Sequence, residues 1–145
     1  MIVIISCGHT KRKEKSPAWK LYTGSYFRSC LRCASKWAKR KDIYIISAKY
    51  GIVTLDTELE PYEVKVKGVT NWWSQNRIEG AVDIATVEKQ IKELKILRNP
   101  PVVFIGGRDY LRLLKQLISD IKAPLQEYTT GRNNRQKGFL KRWTQ

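Results

Sequence analysis

A carboxylate set among cations can act as a general acid or base, or stabilise positive charge as it develops in a transition state. The stretch Ser47-Ala48-Lys49-Tyr50-Gly51-Ile52-Val53-Thr54-Leu55-Asp56-Thr57-Glu58-Leu59-Glu60-Pro61-Tyr62 holds three carboxylates with a lysine and two tyrosines. Asp56 and Glu60 are the pair expected to carry such chemistry. The plainer alternative is a surface loop with solvated carboxylates. A second stretch, Ser6-Cys7-Gly8-His9-Thr10-Lys11, puts small polar residues behind an apolar run. Its backbone N–H groups and Lys11 suit a phosphate or carboxylate, although the Walker spacing is missing. A third, Gly106-Gly107-Arg108-Asp109-Tyr110, offers two glycines for close backbone approach and an arginine beside the start of a helix.

Cys7 and His9 stand two apart, which admits a thiol nucleophile with an imidazole base. With Cys30 and Cys33 they also make up a set of four zinc-type ligands. Against zinc, Cys30 falls in the apolar stripe of its predicted helix, where cysteine packs as a small hydrophobe. No glutamate follows His9 in the H-x-E pattern of zinc deaminases either. The expectation is a site with no metal and no cofactor. Three cysteines without a secretion signal also argue against a disulfide framework.

The charge narrows the partners. Twenty-eight Lys and Arg oppose thirteen Asp and Glu in 145 residues, a formal charge of +15. Such a field attracts polyanions. The basic residues are spread along the chain instead of lining one amphipathic segment, which disfavours a membrane-surface helix. Five Trp and seven Tyr accompany them, and bases stack on aromatic rings beside cationic grooves. DNA or RNA is the expected partner, with no membrane and no obligate protein partner. Lys13, Lys15, Arg132, Arg135 and Lys137 are candidates for backbone contacts. No stretch approaches the roughly eighteen apolar residues of a membrane span, and Met1–Ser6 is too short for a signal peptide. A cytoplasmic protein is expected.

The elements that must position these residues alternate. Ile2–Ile5, Ile43–Ile46 and Val102–Ile105 read as buried strands, and Leu125–Tyr128 as a short fourth. Ser25–Lys39 reads as a helix with Phe27, Cys30, Leu31, Ala34, Trp37 and Ala38 on one face. Trp72–Leu97 reads as mostly helical with a break near Gly80, Asp109–Ile121 as an amphipathic helix, Arg132–Lys137 as a loop and Phe139–Trp143 as a short terminal helix. Trp72 and Trp73 fit a stacking surface, a dimer contact or core. Together these predict one α/β domain over residues 1–145: three layers, with a mostly parallel sheet of about four strands covered by helices. Ligands of such folds bind at the carboxyl ends of the strands. There Ser6, Cys7, Thr10, Lys11, Ser47, Lys49, Tyr50, Gly51, Tyr62, Gly107, Arg108 and Tyr110 are expected to meet a substrate.

Taken in order, strand-Ser-Cys-Gly-x-x-Lys, Leu21-Tyr22-Thr23-Gly24-Ser25-Tyr26-Phe27, Ser47-Ala48-Lys49-Tyr50-Gly51, Asp56, Pro61-Tyr62 and Gly106-Gly107-x-x-Tyr110 resemble a family of small phage and prokaryotic proteins with a domain of unknown function. That resemblance covers most of the chain, including Gly131-Arg132 through Trp143. The central block is similar to the Ser-x-x-Tyr-Gly…Asp…Pro-Tyr stretch of the YaaA peroxide-stress proteins. It is more distantly similar to a domain accompanying archaeal tRNA-guanine transglycosylase-type enzymes. The matching residues are Ser47, Tyr50, Gly51, Asp56, Pro61 and Tyr62. The resemblance implies an α/β fold and a role near DNA or modified nucleobases. The longer flanking regions of YaaA have no counterpart here, so a DNA-binding element located there does not carry over.

Two functions follow as expectations. In the first, the protein is an enzyme, a glycosylase-like hydrolase of a nucleobase N-glycosidic bond. Asp56, with Glu60 second, stabilises the oxocarbenium-like sugar or activates water. Tyr50 or Tyr62 stacks on an extruded base, and Ser6, Thr10, Lys11, Gly107 and Arg108 hold phosphate. In the second, the chain is a non-catalytic DNA- or RNA-binding module of YaaA-like type, whose phosphate contacts set its affinity.

Overall fold

The computed structural model describes residues 1–125. Strand β1 (Ile2–Ser6) runs through the middle of a four-stranded sheet and is buried along its whole length. Its parallel neighbours are β3 (Ile43–Ser47) and β6 (Val102–Ile105), in register Val3 with Ile43 and Val103. Side chains of a strand alternate between the faces of its sheet. Ile2 and Ile4 accordingly join Tyr44, Ile46 and Phe104 in one core, while Val3 and Ile5 join Ile43, Ile45 and Ile105 in the other. A strand buried on both faces has to be apolar at every position, which is why these three runs carry no alternation.

Helix α2 (Ser25–Trp37) covers one face, supplying Phe27, Cys30, Cys33 and Ala34 to the second core. Helices α3 (Ile84–Glu93) and α4 (Arg108–Leu117) cover the other with Val87, Ile91, Leu111, Leu113 and Leu114. The result is the expected three-layer α/β arrangement. Between β1 and α2, a two-residue strand β2 (Ser16–Pro17) pairs antiparallel with β5 (Glu58–Leu59), and a single-turn helix α1 (Ala18–Leu21) follows it.

The fourth strand differs from expectation. It is β4 (Gly51–Thr54), antiparallel to β3, with Ser47 opposite Gly51 and Tyr44 opposite Thr54. Of the Leu125–Tyr128 segment, Leu125 is buried in the core under α2 and the rest lies outside the described residues. Arg132–Lys137 and Phe139–Trp143 lie outside them too. The chain does return to the sheet slightly earlier: the Phe104 N–H donates to Lys122 O (2.8 Å) and the Lys122 N–H to Val102 O (2.9 Å). The short β4 is possible because Gly51 takes φ +73°, a left-handed conformation that closes a three-residue hairpin loop.

The long helix expected over Trp72–Leu97 contracts to α3 and a 3-10 turn at Ile96–Arg98. Asn71, Asn76 and Gly80 all have positive φ, which breaks any helix before Asp83. The Asp83 carboxylate then caps α3, accepting from the Thr86 N–H at 2.9 Å. Trp72 and Trp73 are core: 1% and 4% exposed, edge to face at 5.8 Å. No helix among the described residues is long and apolar enough to cross a membrane.

The Gln90 side chain fills the space against Gly51. Its Oε1 accepts from the Ile52 N–H (2.8 Å) and its Nε2 donates to Tyr50 O (2.9 Å), and a Cβ on Gly51 would collide with it. Gly51→Ala combines left-handed strain with the loss of one or both hydrogen bonds. It is expected to lower stability by about 2–4 kcal/mol, measured by urea denaturation.

Candidate functional site

The carboxyl ends of β1 and β6 open into a cavity of about 500 Å³. The loop Ser6–Lys11 lines one side of it. The first turn of α2 lines another, the first turn of α4 a third, and Tyr62, Val64, Val66 and Lys67 close it. Local packing sets each wall. Ser6 Oγ accepts from the Gly107 N–H at 3.3 Å and ties the two strand ends together. Gly106 allows that approach, since any Cβ there would run into Ser6 and Phe104. Behind α4, Trp72 Nε1 donates to Asp109 O at 3.0 Å and its ring meets Tyr110 at 5.5 Å. The buried tryptophan therefore sets the turn from which Tyr110 enters the cavity.

Beneath the cavity lies a chain of hydroxyl groups. Ser47 Oγ, fully buried, accepts from the Lys49 and Tyr50 N–H groups, both at 3.2 Å. These occupy both lone pairs of a serine oxygen, so its proton must go to the Tyr62 oxygen at 2.7 Å. Tyr62 in turn donates to Tyr22, also at 2.7 Å. Cys7 Sγ contacts the Tyr110 hydroxyl at 3.2 Å. Burial pushes the hydroxyl pKa of Tyr22, Tyr62 and Tyr110 well above the ordinary tyrosine value, and the nearby Cys7 adds to the shift in all three. At neutral pH they are uncharged.

The mouth is cationic. Lys11 donates to His9 O at 3.1 Å and sits 4.4 Å from the centre of the Tyr62 ring. Lys67 and Arg108 also line the opening. Helices α2 and α4 each start at a glycine, Gly24 and Gly107, which has no side-chain oxygen to offer the first-turn N–H groups. Helix α3, away from the cavity, has its aspartate cap. Two positive helix ends thus face the same space as three cationic side chains.

The structure gathers Ser6, Cys7, Thr10, Lys11, Tyr62, Gly107, Arg108 and Tyr110 around the cavity, with Ser47 one hydrogen bond behind Tyr62. Tyr50 packs on the edge of Tyr62 at 5.4 Å and donates to Glu60 O, outside the lining. Lys49 is exposed beside both rings. Gly51 is a turn residue covered by Gln90. Lys13 and Lys15 are exposed and do not line the cavity, and Arg132, Arg135 and Lys137 fall outside the described residues.

The carboxylate pair expected to do the chemistry is not at this site. Because β4 runs antiparallel to β3, it carries the chain back to the opposite end of the sheet. Tyr44 and Ser47, three strand residues or about 10 Å apart, mark the two ends. Asp56 therefore sits at the far end, exposed, where Arg40 donates to it at 2.6 and 3.4 Å. Those hydrogen bonds hold its carboxyl below the usual aspartate range. Glu60 is exposed and does not line the cavity. The lining carboxylate is Asp109, in the first turn of α4, which accepts from the Gly68 N–H at 3.3 Å and lies 3.6 Å from Arg112. Residue type and spacing near β3 drew attention to Asp56; only the direction of β4 shows that it is remote. Tyr22, Val64, Val66 and Lys67 had no periodic signal to mark them.

The thiols separate in the same way. Cys30 and Cys33 are buried beside Phe27 and Ala34. Burial raises the Cys30 thiol pKa strongly and pushes that of Cys33 up to about 11, whereas Cys7 and His9, the other two members of the zinc-type set, line the cavity. Cys7 contacts Tyr110, not the exposed His9. Iodoacetamide at mildly alkaline pH is expected to alkylate Cys7 in the native chain and all three cysteines after denaturation, read by mass spectrometry. Rapid native modification of Cys30 or Cys33 would contradict this packing.

No curated protein matches the chain. A family model does, across residues 2–142, and the chain belongs to that family of unknown function, DUF6884.

Proposed function

We propose that this cavity holds one nucleotide of a nucleic acid, with the phosphate at the paired helix ends and the base among the aromatic side chains, and that the protein works in the cytoplasm on DNA or RNA. The observation that carries this is the convergence of two glycine-started helices and Lys11 on a cavity whose buried hydroxyls are uncharged. An anion gains there from the N–H groups and the fixed cations; Asp109, the acidic residue of the lining, opposes it and is itself engaged by the Gly68 N–H. A volume of about 500 Å³ suits a small ligand. Phe27, Tyr62 and Tyr110 offer apolar and aromatic surface to a base. The net charge of +15 favours a polyanion over a neutral metabolite. The resemblance of Ser47, Tyr50, Gly51, Asp56, Pro61 and Tyr62 to YaaA and to the archaeal tRNA-guanine transglycosylase-type enzymes points the same way.

A second reading, cleavage of an N-glycosidic bond, rests on one observation: Asp109 brings a carboxylate to the cavity, its side chain 21% exposed. A carboxylate in that position can stabilise an oxocarbenium-like sugar or activate water. The role first expected of Asp56 passes to Asp109 in this reading.

The binding reading is tested by calorimetric titration with 5′-mononucleotides and with the corresponding nucleosides. Nucleotides are expected to bind at least ten times more tightly than nucleosides, and to slow alkylation of Cys7. Lys11→Gln should weaken nucleotide binding several-fold, and Asp56→Asn should leave it unchanged. Equal affinity for nucleoside and nucleotide, or no protection of Cys7, would count against the site. For the second reading, oligonucleotides with normal, damaged and modified bases are scored for abasic sites by alkaline strand cleavage. Base release lost in Asp109→Asn and kept in Asp56→Asn is the expected result; release that survives Asp109→Asn would remove Asp109 from the chemistry.

A further inference from the structure

A second basic hollow, of about 540 Å³, lies on the outer side of α1 and α2. Arg12, Lys20, Arg28 and Arg32 line it, with the rings of Trp19 and Tyr22, and among the described residues no carboxylate does. Among the described residues none of these four cations forms an ion pair with a carboxylate. The Arg32 guanidinium donates to Ser29 Oγ, at 3.2 Å.

The charge of α2 is unusual within this molecule. Arg28, Arg32 and Lys36 stand four apart, forming an exposed row of like charge on one helical face, and the 13 residues of α2 include no Asp or Glu. Such rows cost a helix stability. Helix α3 handles its charge in the opposite way, pairing Lys89 with Glu93 and Lys92 with Glu88 at four-residue spacing. Beyond the helix, Lys39 and Arg40 line a further hollow with Lys36, and there Arg40 is paired with Asp56. Arg40 and Lys20 both lie over the Trp19 ring, at 5.3 and 5.0 Å.

Groove and cavity share a wall. It is the short ladder in which the Arg12 N–H donates to Leu21 O (2.8 Å) and the Thr23 N–H to Thr10 O (2.9 Å). Thr10, Lys11 and Gly24 face the cavity, whereas Arg12 and Thr23 face the groove. Tyr22 on the groove side and Tyr62 on the cavity side meet through their hydroxyls.

We infer that the α1–α2 groove carries the phosphodiester backbone of a single-stranded nucleic acid whose neighbouring nucleotide occupies the cavity, an inference that rests on the nucleotide reading of that cavity. A polymer explains the cations that a lone nucleotide would leave unused. A strand leading directly from the cavity has to present an unpaired base there, which selects a single strand over an intact duplex. At about 1.5 Å per residue, α2 spans about 20 Å, enough for several phosphates.

The test uses a fluorescently labelled oligo-dT of about 12 nucleotides, with oligo-U alongside, and reads anisotropy at salt concentrations from about 50 to 200 mM. The variant is the double change Arg28→Gln and Arg32→Gln. Binding of dTMP is followed by calorimetry and by protection of Cys7. The variant should bind the oligonucleotide at least ten times more weakly. The slope of log affinity against log salt should become shallower by about 1.4, for two lost phosphate contacts at about 0.7 each. Its dTMP binding should be unchanged, which also shows that the cavity is intact. Loss with either oligo-dT or oligo-U supports the groove. Unchanged oligonucleotide affinity and slope, with dTMP still bound, would overturn the groove and leave the cavity standing. Loss of oligonucleotide binding in the variant, with no dTMP binding even by the parent protein, would support the groove and remove the cavity reading. A duplex that binds as tightly as oligo-dT, with the same dependence on Arg28 and Arg32, would overturn the single-strand assignment.

Discussion

Strand β1 has to sit between two parallel neighbours, and the rest of the molecule follows from that. Hydrogen-bonded to β3 on one side and β6 on the other, it has no exposed edge and no exposed face. Parallel neighbours demand long crossovers, and the crossovers place helices on both faces. The same geometry sends Ser6 and Ile105 out of the sheet at one end, where the loops after them converge. The anchoring bond between Ser6 Oγ and the Gly107 N–H is where this topology becomes a site, because it joins the end of β1 to the start of α4.

The polarity of the cavity follows from a division of labour between buried and exposed groups. Tyrosine and serine hydroxyls in the interior satisfy one another and stay neutral. The formal charges are at the rim, where water reduces the cost of their desolvation. A neutral interior beneath a cationic mouth lets fixed dipoles and cations act on an anion without a buried carboxylate to oppose them. Asp109 is the exception, held in place by the Gly68 N–H.

Much of this was legible in the chain, for physical reasons that differ by element. β1, β3 and β6 read clearly because burial on both faces forces uninterrupted apolar runs. The α2 boundaries were close because its apolar positions recur at three and four residues. β4 was missed: its two apolar residues, Ile52 and Val53, are too few to set a period, and the hairpin depends on the conformation of Gly51 and on Gln90 from a distant helix. The region of Trp72 and Trp73 reads as helix only by extension from the apolar stripe Ile84, Val87, Ile91 and Leu94 that follows it, and three left-handed residues, Asn71, Asn76 and Gly80, govern its backbone. At the site, the residues immediately after β1 and β6 line the cavity because their position follows from the sheet, whereas Lys49, Tyr50 and Gly51 after β3 fall outside its lining because they form the turn into the antiparallel β4. Asp56 was misplaced because it comes after an antiparallel strand, and reversing one strand moves every later residue to the other end.

The row of like charges on α2 has a thermodynamic consequence of its own. Repulsion among Arg28, Arg32 and Lys36 raises the free energy of the folded chain, and dissolved ions relieve it by screening. Any polyanion that lies along the row relieves it more fully and binds the native form preferentially, so occupancy and folding become linked quantities. The row therefore makes the stability of the folded chain depend on the ions around it.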